Sequence, residues 1–474
     1  MKRFFISLTM LLGTLSMQAQ GWPSQYEGVM LQGFYWDSFS QSQWVKLEKQ
    51  ADELSRYFTL VWLPQSANCG GTSMGYDDMY WFPGHYDSSF GSEAELRSLI
   101  NTFKSKGIGT IADVVINHRK NVSNWVDFPS ETYQGVTYQL LSTDICANDD
   151  GGKTKTWATQ NGYSLSVNND TGDGWDGMRD LDHKSEYVQG WSKAYVQWLL
   201  NTMKYDGFRY DMTLGFHGRY LSMYNVAAQP YMSVSELWHS IDRQKQHLQE
   251  CDSNTMIFDF QAKYSMKGIV TGSYGKLNAS KTFEGLRKHG LARYSVTFID
   301  NHDTFDRGGA YGDNQFSGSD LSNSTTKDQI LQASAYMLMM PGVPCVFYPH
   351  WVSYKEEINE LIAIRKRAGI HSESEVLAEE SGQYKYHATI QGHRGKVIVR
   401  VGKYRSQTVP EGYELAVEGG DRGAYTVYIA MNPQGIANPS LTLPSREGKK
   451  FVENGKLYIR HGEHVYDIFG RIIQ

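Results

Sequence analysis

Short apolar runs alternate along the chain with longer segments in which apolar residues recur every three or four positions. The runs have the length of buried β-strands, and the longer segments have the period of amphipathic α-helices. Eight runs qualify as strands: residues 28–34, 60–63, 109–116, 207–211, 232–236, 256–260, 296–300 and 344–348. Eight strands alternating with helices predict an α/β fold, a (β/α)8 TIM barrel. A doubly wound open sheet is the alternative, but no glycine-rich nucleotide-binding motif follows any strand.

Three helices can be read directly from the pattern. Ser92 and Glu95 form a capping box ahead of apolar residues at helical spacing, and Gly107 predicts the end of that helix. Similar spacing predicts a helix over residues 188–199 and another over residues 326–340.

Two stretches depart from the barrel pattern. The connection after the third strand is long and rich in Asn, Asp, Gly and Thr, which predicts an inserted subdomain over residues 119–182 of a barrel that fills 20–370. Beyond it, strand patterns without helices predict a C-terminal antiparallel β-domain over residues 371–432. The predicted strands are residues 384–390, 396–401, 413–417 and 425–430. Residues 433–474 form a C-terminal extension to which the sequence assigns no role.

The first 19 residues have the organisation of a secretory signal peptide. Lys2 and Arg3 precede an apolar stretch, residues 4–17, that is too short to span a membrane, and small residues follow up to Ala19. We therefore expect cleavage after Ala19 and export to the periplasm or the extracellular space. No other stretch predicts a membrane span.

The four cysteines contain no Cys-x-x-Cys pair, which argues against zinc. Most are expected to be free buried thiols, and one or two disulfides remain possible.

Composition excludes several classes of protein. An apolar fraction of 40% and a charged fraction of 20% exclude a disordered or fibrous chain. The net charge of −5 includes no basic tract, so a nucleic-acid partner is not expected. Aromatic residues make up 13% of the chain, and they can either fill cores or stack on flat ligand faces. A monomer is the expected state.

Polar residues follow four of the predicted strands. In a barrel enzyme the catalytic groups lie at the C-terminal ends of the strands, so these residues should converge on one mouth. They are Asp113, Asn117 and His118 after the third strand, Arg209 and Asp211 after the fourth, Glu236 after the fifth, and Asp300, His302 and Asp303 after the seventh.

Paired carboxylates at such a mouth are typical of retaining glycoside hydrolases. A nucleophilic carboxylate must stay ionised, and Arg209 on the same strand is expected to hold the pKa of Asp211 down. The acid needs a raised pKa, which the apolar neighbours of Glu236 should provide. The third carboxylate, Asp303, and the two histidines, His118 and His302, are suited to binding sugar hydroxyls.

These motifs together resemble those of the α-amylase family, and most closely its plant-type members. The similar segments are DVVINH (113–118), GFRYD (207–211), SELW (235–238) and FIDNHD (298–303), with further likeness at 75–100, 144–150, 170–183, 341–351 and 354–374. The resemblance extends from about residue 28 to residue 428. It implies a hydrolase for starch, glycogen or maltooligosaccharides.

The resemblance also implies individual roles. Asp211 would be the nucleophile, Glu236 the general acid/base and Asp303 the stabiliser of the transition state, while Arg209, His118 and His302 would line the central sugar site and Tyr76 would stack on the sugar. The resemblance further implies bound Ca²⁺, a cation that takes six to eight oxygen ligands. Asn117, Asp170 and Asp180 would supply side-chain oxygens, and Asp173 and Gly215 would supply backbone carbonyls. The ion would tie the insertion to the barrel.

One position departs from the family pattern. Leu214 stands where the family often has a lysine that reaches a sugar on the leaving-group side, so the product pattern is open. The sequence thus predicts a secreted, calcium-dependent, endo-acting α-amylase that cleaves α-1,4-glucosidic bonds with retention. The alternatives are an α-1,4-glucanotransferase on the same scaffold and a starch-binding protein without catalytic activity.

Overall fold

The computed structural model describes residues 22–278, 285–305, 316, 320–403, 408–421 and 423–431, together with the backbone of three strands between residues 449 and 467. The predicted signal peptide lies outside the described residues.

The strands of the described residues are numbered in chain order. They are β1 (Met30–Gln32), β2 (Leu60–Leu63), β3 (Gly109–Val114), β4 (His118–Arg119), β5 (Glu131–Tyr133), β6 (Val136–Tyr138), β7 (Arg179–Asp180), β8 (Gly207–Tyr210), β9 (Met232–Ser235), β10 (Met256–Phe258), β11 (Ser295–Phe298), β12 (Val343–Phe347), β13 (Glu375–Ser381), β14 (Lys385–Gln391), β15 (Lys396–Gly402), β16 (Tyr413–Gly419), β17 (Tyr425–Ala430), β18 (Lys449–Glu453), β19 (Lys456–His461) and β20 (His464–Asp467).

A closed parallel barrel forms the centre of the molecule, in the strand order β1, β12, β11, β10, β9, β8, β3, β2. Every one of the eight predicted runs overlaps a barrel strand, which confirms the predicted fold class. The strands are buried almost throughout, because side chains fill the inside of the barrel and helices cover the outside.

Helices connect the barrel strands. They are α1 (Trp44–Glu48), α2 (Ala51–Leu54), α3 (Glu93–Ser105), α4 (Lys153–Gln160), α5 (Glu186–Trp198), α6 (Gly218–Ala228), α7 (Ile241–Glu250), α8 (Phe260–Val270), α9 (Ser324–Met339), α10 (Tyr348–Ser353) and α11 (Lys355–Ala368). The predicted capping box opens α3: the Glu95 backbone N–H donates to Ser92 Oγ at 3.3 Å, and the Ser92 N–H donates to Glu95 Oε2 at 2.8 Å. The helices expected at 188–199 and 326–340 correspond to α5 and α9.

The predicted insertion leaves the barrel after β3 and contains β4 to β7 and α4. Strands β4 and β7 pair antiparallel, with His118 opposite Asp180, so the two ends of the insertion lie side by side. Two buried ion pairs stabilise the insertion: Arg119 with Glu131 at 2.7 Å and Arg179 with Asp149 at 2.5 Å.

The C-terminal sheet has five antiparallel strands in the order β13, β14, β15, β17, β16. Four of them match the predicted strands, and β13 was not predicted. The sheet packs on the barrel, where Tyr386 meets Tyr336 edge to face at 5.1 Å and Glu379 pairs with Arg287 at 2.8 Å. Strands β18 to β20 form a separate three-stranded sheet within the extension.

The cysteines are thiols, and the helices are too short or too polar to cross a membrane, in the part of the chain that the structure describes. Cys69, Cys146, Cys251 and Cys345 are free and buried. Across the described ranges, the helices all fall short of the length and apolarity that a membrane crossing requires.

Candidate active site

The C-terminal ends of β3, β8, β9 and β11 surround one cleft of about 310 Å³. It is lined by Trp36, Tyr76, His118, Trp175, Asp211, Met212, Leu214, Glu236, Trp238, His302 and Asp303. The six lining residues that the sequence predicted are therefore neighbours in space. The seventh, Arg209, is almost fully buried and contacts their carboxylates.

Arg209 bridges the two carboxylates expected to carry the chemistry. Its Nη1 donates to Asp211 Oδ1 at 2.7 Å and to Asp113 Oδ1 at 2.8 Å, and its Nη2 lies 2.8 Å from Glu236 Oε2. The guanidinium is planar and rigid, so it fixes the carboxylates relative to one another. Arg209 also lies over the ring of Trp62, 4.9 Å from its centroid, which holds the guanidinium in place.

The expected direction of the Asp211 pKa shift was wrong. Burial raises the pKa of Asp211 well above its usual range; Arg209 opposes this, and the negative charges of Glu236, Asp113 and Asp303 raise it further. A single guanidinium shared among several carboxylates cannot offset both their burial and their mutual repulsion. The free site therefore retains protons that isolated carboxylates would lose.

Three rings on one side of the cleft lie nearly parallel. Tyr76 stacks on His302 at 5.1 Å with an interplanar angle of 11°, and Trp36 lies 6.0 Å from Tyr76 at 7°. The Tyr76 hydroxyl donates to Asp113 Oδ2 at 2.8 Å, which fixes the ring. Such a face suits the flat apolar face of a sugar ring.

Both histidines are held by specific partners. Gln32 Nε2 donates to His302 Nδ1 at 3.0 Å, so His302 Nε2 carries the proton directed at Asp303 Oδ2, 3.2 Å away. His118 donates from Nε2 to the Tyr76 carbonyl at 3.0 Å, and burial lowers the pKa of His118 to about 4. His118 is consequently neutral at pH 7.

A buried ion pair supports the turn that carries Asp303. Lys263 on α8 donates to Asp300 Oδ1 and to the Ile299 carbonyl, both at 2.9 Å. Asp300 also accepts from the Thr304 hydroxyl at 3.1 Å. The sequence marked Asp300 through its motif but gave no signal for Lys263, whose partner is 37 residues away.

The predicted calcium ligands lie together where the insertion meets the barrel. Asn117 Nδ2 donates to Asp180 Oδ1 at 3.3 Å, and Asp170 Oδ2 is buried without a hydrogen-bond partner. Burial and the charges of Asp170 and Asp149 raise the pKa of Asp180 to about 8, and burial raises that of Asp170 to about 6. Closely spaced buried carboxylates of this kind suit a hard cation.

Gly215 belongs to the same cluster. A Cβ at Gly215 would lie 2.0 Å from Asn117 Oδ1, so only glycine fits beside that side chain. Asp173 donates its N–H to the Leu214 carbonyl at 2.8 Å, which places its backbone beside this segment. In the part of the chain that the structure describes, no three His, Cys, Asp or Glu side chains form a metal-binding group; the predicted donor set relies on amide and carbonyl oxygens as well.

Trp175 lines the cleft although the sequence did not single it out. Its ring lies 4.2 Å from that of His118. The backbone N–H of Trp175 donates to Asp180 Oδ2 at 3.2 Å. The sequence did contain a signal for Trp175: it is a large aromatic residue in a polar insertion, where no helical or strand pattern accounts for its presence.

Comparisons with known proteins identify relatives over most of the chain, although no protein-family model matches it. "Probable alpha-amylase 2" of Arabidopsis thaliana is 30% identical over 402 residues, which cover 79% of this chain and 88% of that protein. A glucan 1,4-alpha-maltotetraohydrolase of Roseateles saccharophilus is 25% identical over 78% of this chain and 67% of its own. A cyclomaltodextrin glucanotransferase with a three-domain ABC distribution shares the fold, with a TM-score of 0.61 at 15% identity over 85% of this chain and 99% of its own.

Proposed function

The chain belongs to the α-amylase family of starch-degrading glycoside hydrolases, and from this premise we propose that it is a secreted, endo-acting α-amylase. It would cleave internal α-1,4-glucosidic bonds of starch, glycogen or maltooligosaccharides with retention of configuration. The observation that carries this proposal is the single Arg209 guanidinium in contact with both Asp211 and Glu236 beside a face of parallel rings.

The proposed reaction has two steps. Glu236 donates a proton to the glycosidic oxygen while Asp211 attacks the anomeric carbon, which gives a covalent glycosyl-enzyme and releases the leaving sugar. Glu236 then takes a proton from water, which attacks the same carbon and frees Asp211. Arg209 supports the ionised form of Asp211 against its burial.

The remaining residues bind and orient the sugar. Tyr76 would stack on the sugar in the central site, and Asp303 with His302 would bind its hydroxyls as the ring distorts. The His302 proton directed at Asp303 keeps that carboxylate oriented. Neutral His118, whose Nε2 proton is donated to the Tyr76 carbonyl, can accept a hydrogen bond at Nδ1 without adding charge beside the developing cation.

Ca²⁺ is the proposed cofactor, and the buried carboxylates fit it. Asn117, Asp170 and Asp180 would hold it by side chains, and Asp173 and Gly215 by backbone carbonyls. When bound, it would neutralise the buried carboxylates and link the insertion to the barrel. The same proposal includes export after cleavage at Ala19 and a monomeric state. It also includes the domain boundaries at residues 20–370, 119–182, 371–432 and 433–474.

Product analysis on soluble starch and on maltopentaose tests the function. An α-amylase releases a range of shorter products whose first-formed reducing end is the α-anomer. Asp211→Asn and Glu236→Gln should each lower kcat by at least about 100-fold. Asp242→Asn, at an exposed carboxylate of α7, serves as the matched control. Products longer than the substrate would support the glucanotransferase, and binding without reducing-sugar release would support the non-catalytic protein.

A further inference from the structure

Three aromatic rings contact one another on the insertion. Tyr163 is 43% exposed, and its ring stacks on that of the half-buried Trp157 at 5.8 Å with an interplanar angle of 15°. Trp125, also half-buried, lies 6.1 Å from Trp157. We call these three rings the surface aromatic cluster; none of them is among the described residues that line the cleft. Single apolar side chains on a surface need no explanation, but three rings in contact within a polar insertion do.

The end of helix α4 fixes the position of Tyr163. Gly162 follows the helix with a φ of +79°, a left-handed conformation that glycine adopts without strain. The Tyr163 N–H then donates to the Ala158 carbonyl at 2.8 Å. The Gly162 N–H donates to the Thr159 carbonyl at 3.4 Å. These are the two hydrogen bonds of a Schellman motif, which an apolar contact such as that of Tyr163 with Trp157 commonly accompanies. The backbone therefore holds the exposed ring in place before any ligand arrives.

The buried end of the surface aromatic cluster is fixed as well. The guanidinium of the buried Arg179 lies 5.4 Å from the centroid of the Trp125 ring and pairs with Asp149 at 2.5 Å. Trp125 in turn contacts Trp157, so the cluster rests on a buried ion pair. Rings that are held in this way lose little conformational freedom when a ligand binds.

The chain between the two outer rings carries no charge. Residues 158–162 are Ala, Thr, Gln, Asn and Gly, and the side chains of Thr159, Gln160 and Asn161 are exposed. Asn161 is oriented by its Nδ2, which donates to the Trp157 carbonyl at 2.8 Å. Hydroxyl and amide groups both donate and accept hydrogen bonds, as sugar hydroxyls do. A flat ring beside such groups suits an uncharged ligand that has a flat apolar face.

From this arrangement we propose that the surface aromatic cluster is a second binding site for α-glucan, separate from the cleft, in which the exposed Tyr163 ring stacks on a glucose ring. The inference rests on the proposed function, because it takes its ligand from the same class of polymer. A protein partner is a poorer fit: a stable interface buries about 800 Å² on each partner, and one exposed ring with three polar neighbours offers only a fraction of this area. A site that retains the polymer raises the effective concentration of its bonds at the cleft.

Adsorption to granular starch tests the site. Tyr163→Leu keeps an apolar side chain against Trp157, which preserves the end of α4, but it removes the flat ring. We expect this variant to adsorb about threefold to tenfold more weakly, which is the range of a single aromatic stacking contact, and to keep its kcat/KM on maltopentaose. Tyr163→Phe retains the ring and should adsorb as strongly as the parent chain. Adsorption is measured with Glu236→Gln added to the parent chain and to every variant, so that the granules are not digested.

Tyr187→Leu is the matched control, because Tyr187 on α5 is 45% exposed. The proposal would be overturned if Tyr163→Leu adsorbs as strongly as the parent chain, or if Tyr163→Phe or Tyr187→Leu loses as much adsorption as Tyr163→Leu. An equal loss of adsorption and of kcat/KM on maltopentaose would also overturn it, since a structural defect lowers both. A chain with Glu236 intact that does not hydrolyse maltopentaose would instead contradict the proposed function, and adsorption would still report on this site.

Discussion

Arg209 Nη2 lies 2.8 Å from Glu236 Oε2, while Nη1 of the same guanidinium donates to Asp211. A lysine ammonium is a point charge and cannot hold both carboxylates in this fixed relation. Arg209→Lys should therefore lower kcat/KM on soluble starch by at least about 100-fold. Arg219→Lys, at an exposed arginine of α6, is the control; a comparable loss there, or activity within tenfold of wild type for Arg209→Lys, would contradict the bridging role.

The pH dependence of activity should reflect the crowded carboxylates. Burial and the charges of Glu236, Asp113 and Asp303 raise the pKa of Asp211, so its ionised form is lost as the pH falls through that raised value. Asp113→Asn removes one negative charge and leaves Arg209 more available, which lowers the pKa of Asp211. The acid limb of kcat/KM should then move to lower pH.

Asp242→Asn on the surface of α7 gives the reference profile for that measurement. An acid limb that stays in place, or moves to higher pH, would show that repulsion from Asp113 does not govern the ionisation of Asp211.

The Lys263–Asp300 pair predicts a large effect on stability. Both side chains are fully buried, so Lys263→Met leaves Asp300 as an uncompensated buried carboxylate. The free energy of unfolding should fall by about 3–5 kcal/mol, measured by urea denaturation. The double variant Lys263→Met with Asp300→Asn should recover part of this loss, because no buried charge remains. A double variant that is no more stable than Lys263→Met alone would contradict the conclusion that the unpaired buried charge of Asp300 causes the loss of stability.

Calcium should stabilise the protein more at pH 8 than at pH 5. Burial and neighbouring charges raise the pKa of Asp180 to about 8 and burial that of Asp170 to about 6. Without metal, the stability due to these groups is fully present below their unfolded pKa values and is lost as the pH rises toward the raised ones. A cation must displace protons from both carboxyls at pH 5, whereas at pH 8 Asp170 is ionised and Asp180 is partly ionised, so fewer protons are displaced.

Thermal unfolding with excess Ca²⁺ or with a chelator measures this effect. At 100 times its Kd a ligand adds about 2.7 kcal/mol, and this gain should vanish in Asp180→Asn but persist in Asp176→Asn, at an exposed neighbour in the same loop. Equal gains at the two pH values would contradict the proton competition.

The barrel could be predicted because its strands are buried on both faces and read as continuous apolar runs. Strand β13 could not, since its residues are mostly exposed and polar and it lies at the edge of its sheet. Strands β4 and β7 are two residues long, which is below the length at which any periodicity shows. The catalytic carboxylates, Arg209 and the two histidines were found because barrel topology brings the strand ends together, whatever the spacing along the chain. Tyr76 and the calcium ligands of the insertion came only from the resemblance to the α-amylase family.

Other features of the site depend on the combined effect of groups that are distant in the sequence and close in the fold. The direction of the Asp211 pKa shift needs the burial and every neighbouring charge, whereas the sequence revealed only the adjacent Arg209. Lys263 and Trp175 come from a helix and an insertion whose packing against the cleft no local pattern encodes.

The pairing of β4 with β7 brings the two ends of the insertion together, so the insertion forms a separate structural unit on the barrel. The chain enters and leaves the insertion through one short ladder, with His118 opposite Asp180. We therefore expect that the segment between β4 and β7 can change in length or be exchanged without a change in the order of the barrel strands. Such an exchange would replace Trp175 and two carboxylates of the proposed metal cluster together. Part of the lining of the cleft and the demand for metal would then be inherited as one unit.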